Sequence, residues 1–228
     1  MALTVDVISD VICPWCYLGK RRLEKAILLA GRRDVQVRWH PFQLNPQMPR
    51  EGMSRRAYRT AKFGSWERSL ALDDRVREAG RGEGIPFAFE KQERTPNTLD
   101  AHRLIWLADR EGVQDAVVEA LFRAYFTAGR DLGDRPTLLD LAAQAGLDRG
   151  LAAGVLDGGD GLEAIRAAEE MARRVGVQGV PFFLINGEVA LSGEQPPGAF
   201  LDAFDRLSQS ADDAGGVCAA GLGGNPTC

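Results

Sequence analysis

Two cysteines three positions apart, in Cys13-Pro14-Trp15-Cys16, sit where an apolar strand-like run ends and an amphipathic helix begins. At a helix start this spacing turns the first thiol toward solvent and places the second one turn inward beneath it. Unsatisfied backbone N–H groups and the positive end of the helix dipole favour the thiolate, which is the form of cysteine that attacks a disulfide. Pro14 suits a first turn, where its missing N–H has no intrahelical partner to lose. The stretch reads as a redox-active dithiol, Cys13 attacking and Cys16 resolving, with Pro14 and Trp15 beside the bound substrate.

The flanking pattern gives this dithiol a scaffold. Leu3 to Ile8 is apolar and rich in β-branched residues and reads as a strand. Tyr17 to Ala30 repeats apolar residues at helical spacing, and Gly31 follows where a left-handed cap is expected. In Val35 to Phe42, Val35, Val37 and Trp39 alternate with Gln36, Arg38 and His40, a half-buried strand that the prolines at 41, 46 and 49 then end. His40 falls on the polar side, which predicts a hydrogen-bonded or exposed histidine and not a catalytic base. Asp10, three residues before Cys13, reads as a turn or N-cap residue, with orientation of the loop or an influence on thiol ionisation as the alternative.

From Ser54 to about Gly161 helical patterns replace the alternation, with segments predicted at 54–62, 66–79, 98–111, 114–127, 137–145 and 148–156. Arg55, Arg56, Arg59 and Lys62 form the densest basic cluster, and their spacing predicts a solvated helix face in preference to an anion-binding patch. After a helix over 161–175, Phe182 to Ile185 and Glu188 to Leu191 flank Asn186-Gly187, the strongest short hairpin signal. A last helix follows Pro196 and Pro197. The boundaries are therefore a first half at 1–50, a helical insertion at 51–161, a second half at 162–208 and a flexible cysteine-containing tail at 209–228. Strand-helix-strand, then strand-strand-helix, with a dithiol after the first strand, is the order an α/β thioredoxin-like fold requires.

The whole-chain balance narrows the function classes. Among 228 residues, 45% are hydrophobic, enough for a sizeable core, and a formal net charge of −4 with interspersed signs lacks the footprint of a nucleic-acid binder. No run of about 18 apolar residues predicts a membrane span. Met1 to Val5 leads straight into the first strand with no room for an export signal, so the cytoplasm is the expected compartment. Four cysteines are too few for a disulfide scaffold there, and suit catalysis or redox sensing. Zinc held by all four is disfavoured by the wide spacing of Cys218 and Cys228 and the lack of a tail histidine, so no metal is assigned.

Several motifs together resemble the FrnE-like branch of the DsbA family: Asp10 to Gly19 around the dithiol, Phe42 to Pro46, Pro96 to Arg103, Gly179-Val180-Pro181 and Ser192 to Gln195. The likeness covers roughly residues 3–207. It implies a thioredoxin-like fold interrupted by a helical domain, with Pro181 as a cis-proline facing the dithiol and the loop at Val180 offering backbone groups to substrate. Kappa-class glutathione transferases and 2-hydroxychromene-2-carboxylate isomerases look similar around Pro14, Tyr17 to Gly19 and Asn97 to Arg103. Those relatives place serine where Cys13 stands, and serine cannot form a mixed disulfide. By that likeness Asn97, Thr98, His102 and Arg103 border the thiol site; the alternative is that Asn97 or Thr98 caps the helix that starts there.

The reading is a thiol-disulfide oxidoreductase acting on protein disulfides, dithiols or low-molecular-weight thiols, with no tightly bound cofactor and glutathione as a candidate cosubstrate. A glutathione-dependent transferase or isomerase and a redox-sensitive chaperone or binding module are the alternatives. The resemblance does not carry over a strong oxidase, because Trp15 lies between the cysteines and no export signal is present. Cys218 and Cys228 form a candidate secondary redox pair, with two incidental thiols as the other reading. Dimers among the isomerase-like relatives leave a homodimer open.

Overall fold

The computed structural model describes residues 2–216. Its central sheet has strand order β2-β1-β5-β6, built from β1 (Leu3–Ser9), β2 (Val35–Pro41), β5 (Phe182–Ile185) and β6 (Val189–Ser192). β1 runs parallel to β2 and antiparallel to β5, and β5 runs antiparallel to β6. Between the parallel pair lies the crossover helix α1 (Pro14–Leu29), which Gly31 ends with a φ of 63°. The hairpin turn forms at Asn186-Gly187, where φ values of 50° and 72° give the left-handed pair that a two-residue hairpin needs. Asn186 also ties the turn to β1, because its Oδ1 accepts from the Thr4 N–H at 2.8 Å.

The strand period of two divides the core. Val5, Val7, Phe183 and Ile185 are fully buried, and Phe183 meets Phe200 of α9 (Pro197–Gly216) edge-on at 4.9 Å between ring centres. Ile8 and Phe182 help form a second cluster with Phe42, Ala172 and Val177, so α8 (Leu162–Arg174) covers that side. The central strands β1 and β5 are thus covered on both faces, as the apolar run in β1 requires, while β2 and β6 at the edges keep exposed residues.

Within the insertion the helices are α2 (Arg55–Phe63), α3 (Trp66–Arg81), α4 (Leu99–Arg110), α5 (Gln114–Ala128), α6 (Arg135–Gln144) and α7 (Arg149–Asp157). Asp134 and Asp148 cap α6 and α7 by accepting from Thr137 N–H and Leu151 N–H. The cap at Asp134 with Pro136 behind it starts α6 at Arg135, earlier than its apolar pattern indicates. Tyr17 of α1 stacks on Phe122 of α5 at 5.1 Å, joining the insertion to the sheet domain through one aromatic core.

Three features depart from the sequence reading. A two-stranded ribbon of β3 (Met53–Ser54) and β4 (Arg94–Thr95) and a 3-10 turn over Phe89–Lys91 form in stretches too short to carry periodicity. Helix α9 continues to Gly216, past the expected tail start at 209, because no glycine or proline lies between Gly198 and Gly215. Cys218 and Cys228, the candidate secondary pair, lie outside the described residues. No helix among the described residues is long and apolar enough to cross a membrane.

Candidate active site

β1 hands the chain to the dithiol through a turn in which Cys13 N–H donates to the Asp10 carbonyl at 3.0 Å. Cys13 is the N-cap of α1, with extended backbone (φ −91°, ψ 111°), and Pro14 opens the first turn. Cys16 N–H then donates to the Cys13 carbonyl at 3.0 Å, which winds the second thiol inward. The first thiol, expected to face solvent, is only 4% exposed, while Cys16 is fully buried. Both are free thiols.

What covers Cys13 is the loop before β5. Its Sγ donates to the Val180 carbonyl at 3.4 Å, and the Val180-Pro181 peptide bond is cis, as the resemblance implied. The antiparallel pairing of β1 with β5, with Ile8 opposite Phe182, puts the end of one strand beside the start of the other. Helix α1 approaches this loop through Gly19, where an added Cβ would lie 2.9 Å from the Phe183 ring and 3.3 Å from Pro181 Cγ. The two thiols differ in environment. Burial, followed by the adjacent Cys13 sulfur, pushes the Cys16 thiol well above the usual cysteine range and holds it protonated at neutral pH.

Behind the dithiol, Asp10 is buried, and its Oδ2 accepts from the Leu44 N–H at 2.8 Å. Its Oδ1 lies 3.3 Å from His102 Nε2. Asp10 therefore pins the start of the Cys13 loop to the segment after β2 and to α4. Asn97 Oδ1 accepts from Leu99 N–H at 2.9 Å and its Nδ2 donates to the Met48 carbonyl at 2.6 Å, so its bonds join the α4 start to the segment after β2. Arg103 donates to the carbonyls of Val155, Gly158 and Asp160, clamping the α7–α8 connection. Of Asn97, Thr98, His102 and Arg103, His102 reaches the Cys13 loop, through Asp10, and none of the four lines the cavity at Cys13. His40 of β2 pairs with Asp6 of β1 at 2.7 Å, in keeping with a hydrogen-bonded histidine.

That cavity, of about 340 Å³, is bounded on one side by Cys13, Pro14, Trp15, Gly179 and Val180. Its opposite wall comes from the insertion, with Tyr58, Phe63, Val76, Phe89 and Phe126 among its apolar residues. Here two members of the basic cluster, Arg55 and Arg59, depart from a solvated face, while Arg56 and Lys62 stay exposed. Arg55 is buried and its Nη2 donates to Asp73 Oδ2 at 2.7 Å; Arg59 Nη2 donates to Asp73 Oδ1, also at 2.7 Å. Both guanidiniums, with Lys62, line the cavity. Periodicity gave no sign of this because the anion that turns these arginines inward belongs to the next helix, α3. Gln92 and Tyr125 join the same wall: Gln92 Oε1 accepts from Arg55 Nε at 3.1 Å and its Nε2 donates to the Tyr125 carbonyl at 2.9 Å. Burial pushes the Tyr125 phenol upward, so it is a neutral donor at neutral pH. Among the described residues there is no group of three or more His, Cys, Asp or Glu able to hold a metal ion.

With this geometry, comparison with known proteins is informative. A probable DsbA oxidoreductase from Streptomyces coelicolor is 31% identical and superposes with a TM-score of 0.83 over 99% of this chain and 94% of that one. A 2-hydroxychromene-2-carboxylate isomerase shares the fold at 20% identity and a TM-score of 0.70, covering 92% and 98% of the two chains. The cytosolic disulfide reductase DsbM from Pseudomonas aeruginosa, solved with GSH, does so at 24% and 0.62, covering 89% and 99%. The family described as DSBA-like thioredoxin domain matches residues 4–205, from the first strand of the sheet through the last helix packed on it, and the chain belongs to that family.

Proposed function

We propose that the protein is a thiol-disulfide oxidoreductase whose exchange chemistry runs through Cys13 and Cys16. The observation that carries this is the unequal placement of the two thiols. Cys13 sits at the helix start, at the mouth of a cavity, against the Val180 carbonyl; Cys16 lies one turn deeper, fully buried and protonated. Cys13, as thiolate, attacks one sulfur of a substrate disulfide and expels the other as a thiolate. Cys16 then loses its proton, attacks the Cys13 sulfur and releases the second substrate thiol, leaving the Cys13–Cys16 disulfide. Two electrons pass from the protein dithiol to the substrate, and the reverse sequence oxidises a dithiol. The direction follows the redox poise, with about 30 mV equal to 1.4 kcal/mol for this two-electron couple.

Substrates are protein disulfides or low-molecular-weight disulfides, and glutathione, present in the solved DsbM neighbour, is the proposed thiol cosubstrate. A reducing cytoplasm fits a dithiol kept ready to reduce. Insulin-disulfide reduction and glutathione conjugation, measured side by side, test the reading. Cys13→Ser is expected to fall to the uncatalysed rate of reduction, and Cys16→Ser to accumulate a mixed disulfide visible as a mass adduct. Full reduction by Cys13→Ser, or conjugation that survives in it, would sink this assignment.

A further inference from the structure

The cavity wall facing the dithiol carries more positive than negative charge. Asp73 has two oxygens, one taken by Arg55 and the other by Arg59, so a single carboxylate serves two guanidiniums. Lys62, the third cation of the lining, donates to the Tyr58 hydroxyl at 2.7 Å and has no carboxylate within ion-pair distance among the described residues. The side chains of Arg55 and Asp73 are 5% and 4% exposed and that of Arg59 is 16% exposed, so water screens this excess weakly. Burial pulls the Arg59 guanidinium below the usual arginine range, with the Asp73 carboxylate opposing the shift and the Arg55 charge adding to it.

The remaining lining is apolar and aromatic, and 340 Å³ lies at the lower end of the range for small-molecule sites. That volume suits one substituted ring or a short branched chain. An anionic group on such a body would meet Arg59 and Lys62 while its sulfur lies at Cys13 on the opposite wall.

Resting on the dithiol-exchange reading above, we propose that this cavity selects small anionic disulfides, with an aromatic or branched apolar body and a carboxylate held by Arg59 and Lys62. The carboxylate supplies the missing anion to a buried cationic wall, where charge-assisted hydrogen bonds are strong. The reaction balances as above: the substrate S–S bond breaks, the Cys13–Cys16 bond forms, two thiolates leave and the protein dithiol gives up two protons. The insertion thus supplies recognition, and the thioredoxin-like half the chemistry.

Two aryl disulfides separate the parts of this claim: dithiobis(nitrobenzoate), which carries a carboxylate on each ring, and dithiodipyridine, which is neutral. Rates of thiolate release from the reduced full-length protein give an anionic-to-neutral preference in which the intrinsic reactivity of Cys13 cancels between variants. In Arg59→Gln the preference is expected to fall about tenfold, equal to about 1.4 kcal/mol. Lys62→Glu, at an exposed position that does not endanger folding, reverses a charge and is expected to lower it at least as much. A preference that stays within twofold of wild type in both variants overturns the proposal while leaving dithiol exchange intact. If neither disulfide oxidises the wild-type dithiol, the exchange reading fails and takes the proposal with it. Leu72→Trp, which fills the cavity, is expected to slow both aryl disulfides relative to alkylation of Cys13 by iodoacetamide; an unchanged ratio would place the docking site elsewhere and overturn the assignment.

Discussion

Across the cleft from Cys13, whose sulfur meets a backbone carbonyl, the insertion presents two guanidiniums on one carboxylate. The two walls are specified differently. The reactive wall is a matter of backbone: a helix start, a strand end and a loop brought alongside by β1–β5 pairing. The facing wall is a matter of charge buried between α2 and α3, with Gln92 of the following loop completing it. A site made this way can keep its chemistry while its recognition changes, because the charged residues lie outside the segments that hold the thiols.

The largest test of this contrast removes the anion of the charged wall. Asp73→Asn strips two buried guanidiniums of their carboxylate, and breaking a buried ion pair from one side costs about 3–5 kcal/mol. Urea unfolding is expected to show that loss, while thiol titration of the folded fraction still counts Cys13 as reactive. A loss below about 1 kcal/mol would mean that the wall is not held by charge.

On the other side, Gly19→Val forces a side chain into the Phe183 ring and Pro181 Cγ. Overpacking of this kind costs about 1–3 kcal/mol, and the displaced Val180 loop is expected to slow disulfide reduction as well. Gly154→Ala in α7, where nothing lies within 4 Å of an added Cβ, is the control. Equal effects from both substitutions would remove the argument for a close approach at Gly19.

The smallest effect distinguishes the thiols by pH. The folded protein holds the Cys16 proton to higher pH than an unfolded chain, whose cysteine titrates near 9. Above that value the folded state binds more protons than the unfolded one, so stability present below pH 9 is lost as pH rises. The slope reaches at most about 1.4 kcal/mol per pH unit. Between pH 9 and 10 the reduced wild type is expected to lose stability and Cys16→Ser to lose less, the contribution of the Tyr125 phenol being common to both. Identical slopes would show that Cys16 is not the group responsible.

The same contrast explains what the sequence made legible. Period-two alternation in β2, the helical repeat of α1 and the Asn186-Gly187 turn are local signals, and they fixed the sheet and the place of the dithiol. The Val180 loop could be assigned through resemblance, since nothing near it in sequence points to a partner 167 residues away. The basic cluster misled because arginines four apart on a helix read as solvated unless their counter-ion is known, and Asp73 is one acid among several in α3. Asp10 was legible as a turn residue through its carbonyl; its side-chain bond to Leu44 N–H depends on tertiary structure alone.

The separation of Cys13 from its carbonyl partner also has a temporal side. At about 5–20 residues per second, the 167 residues between them take on the order of ten to thirty seconds to emerge from the ribosome. During that interval β1 has no β5 to pair with and the dithiol has no lid. The nascent chain therefore carries Cys13 without its carbonyl partner throughout that interval.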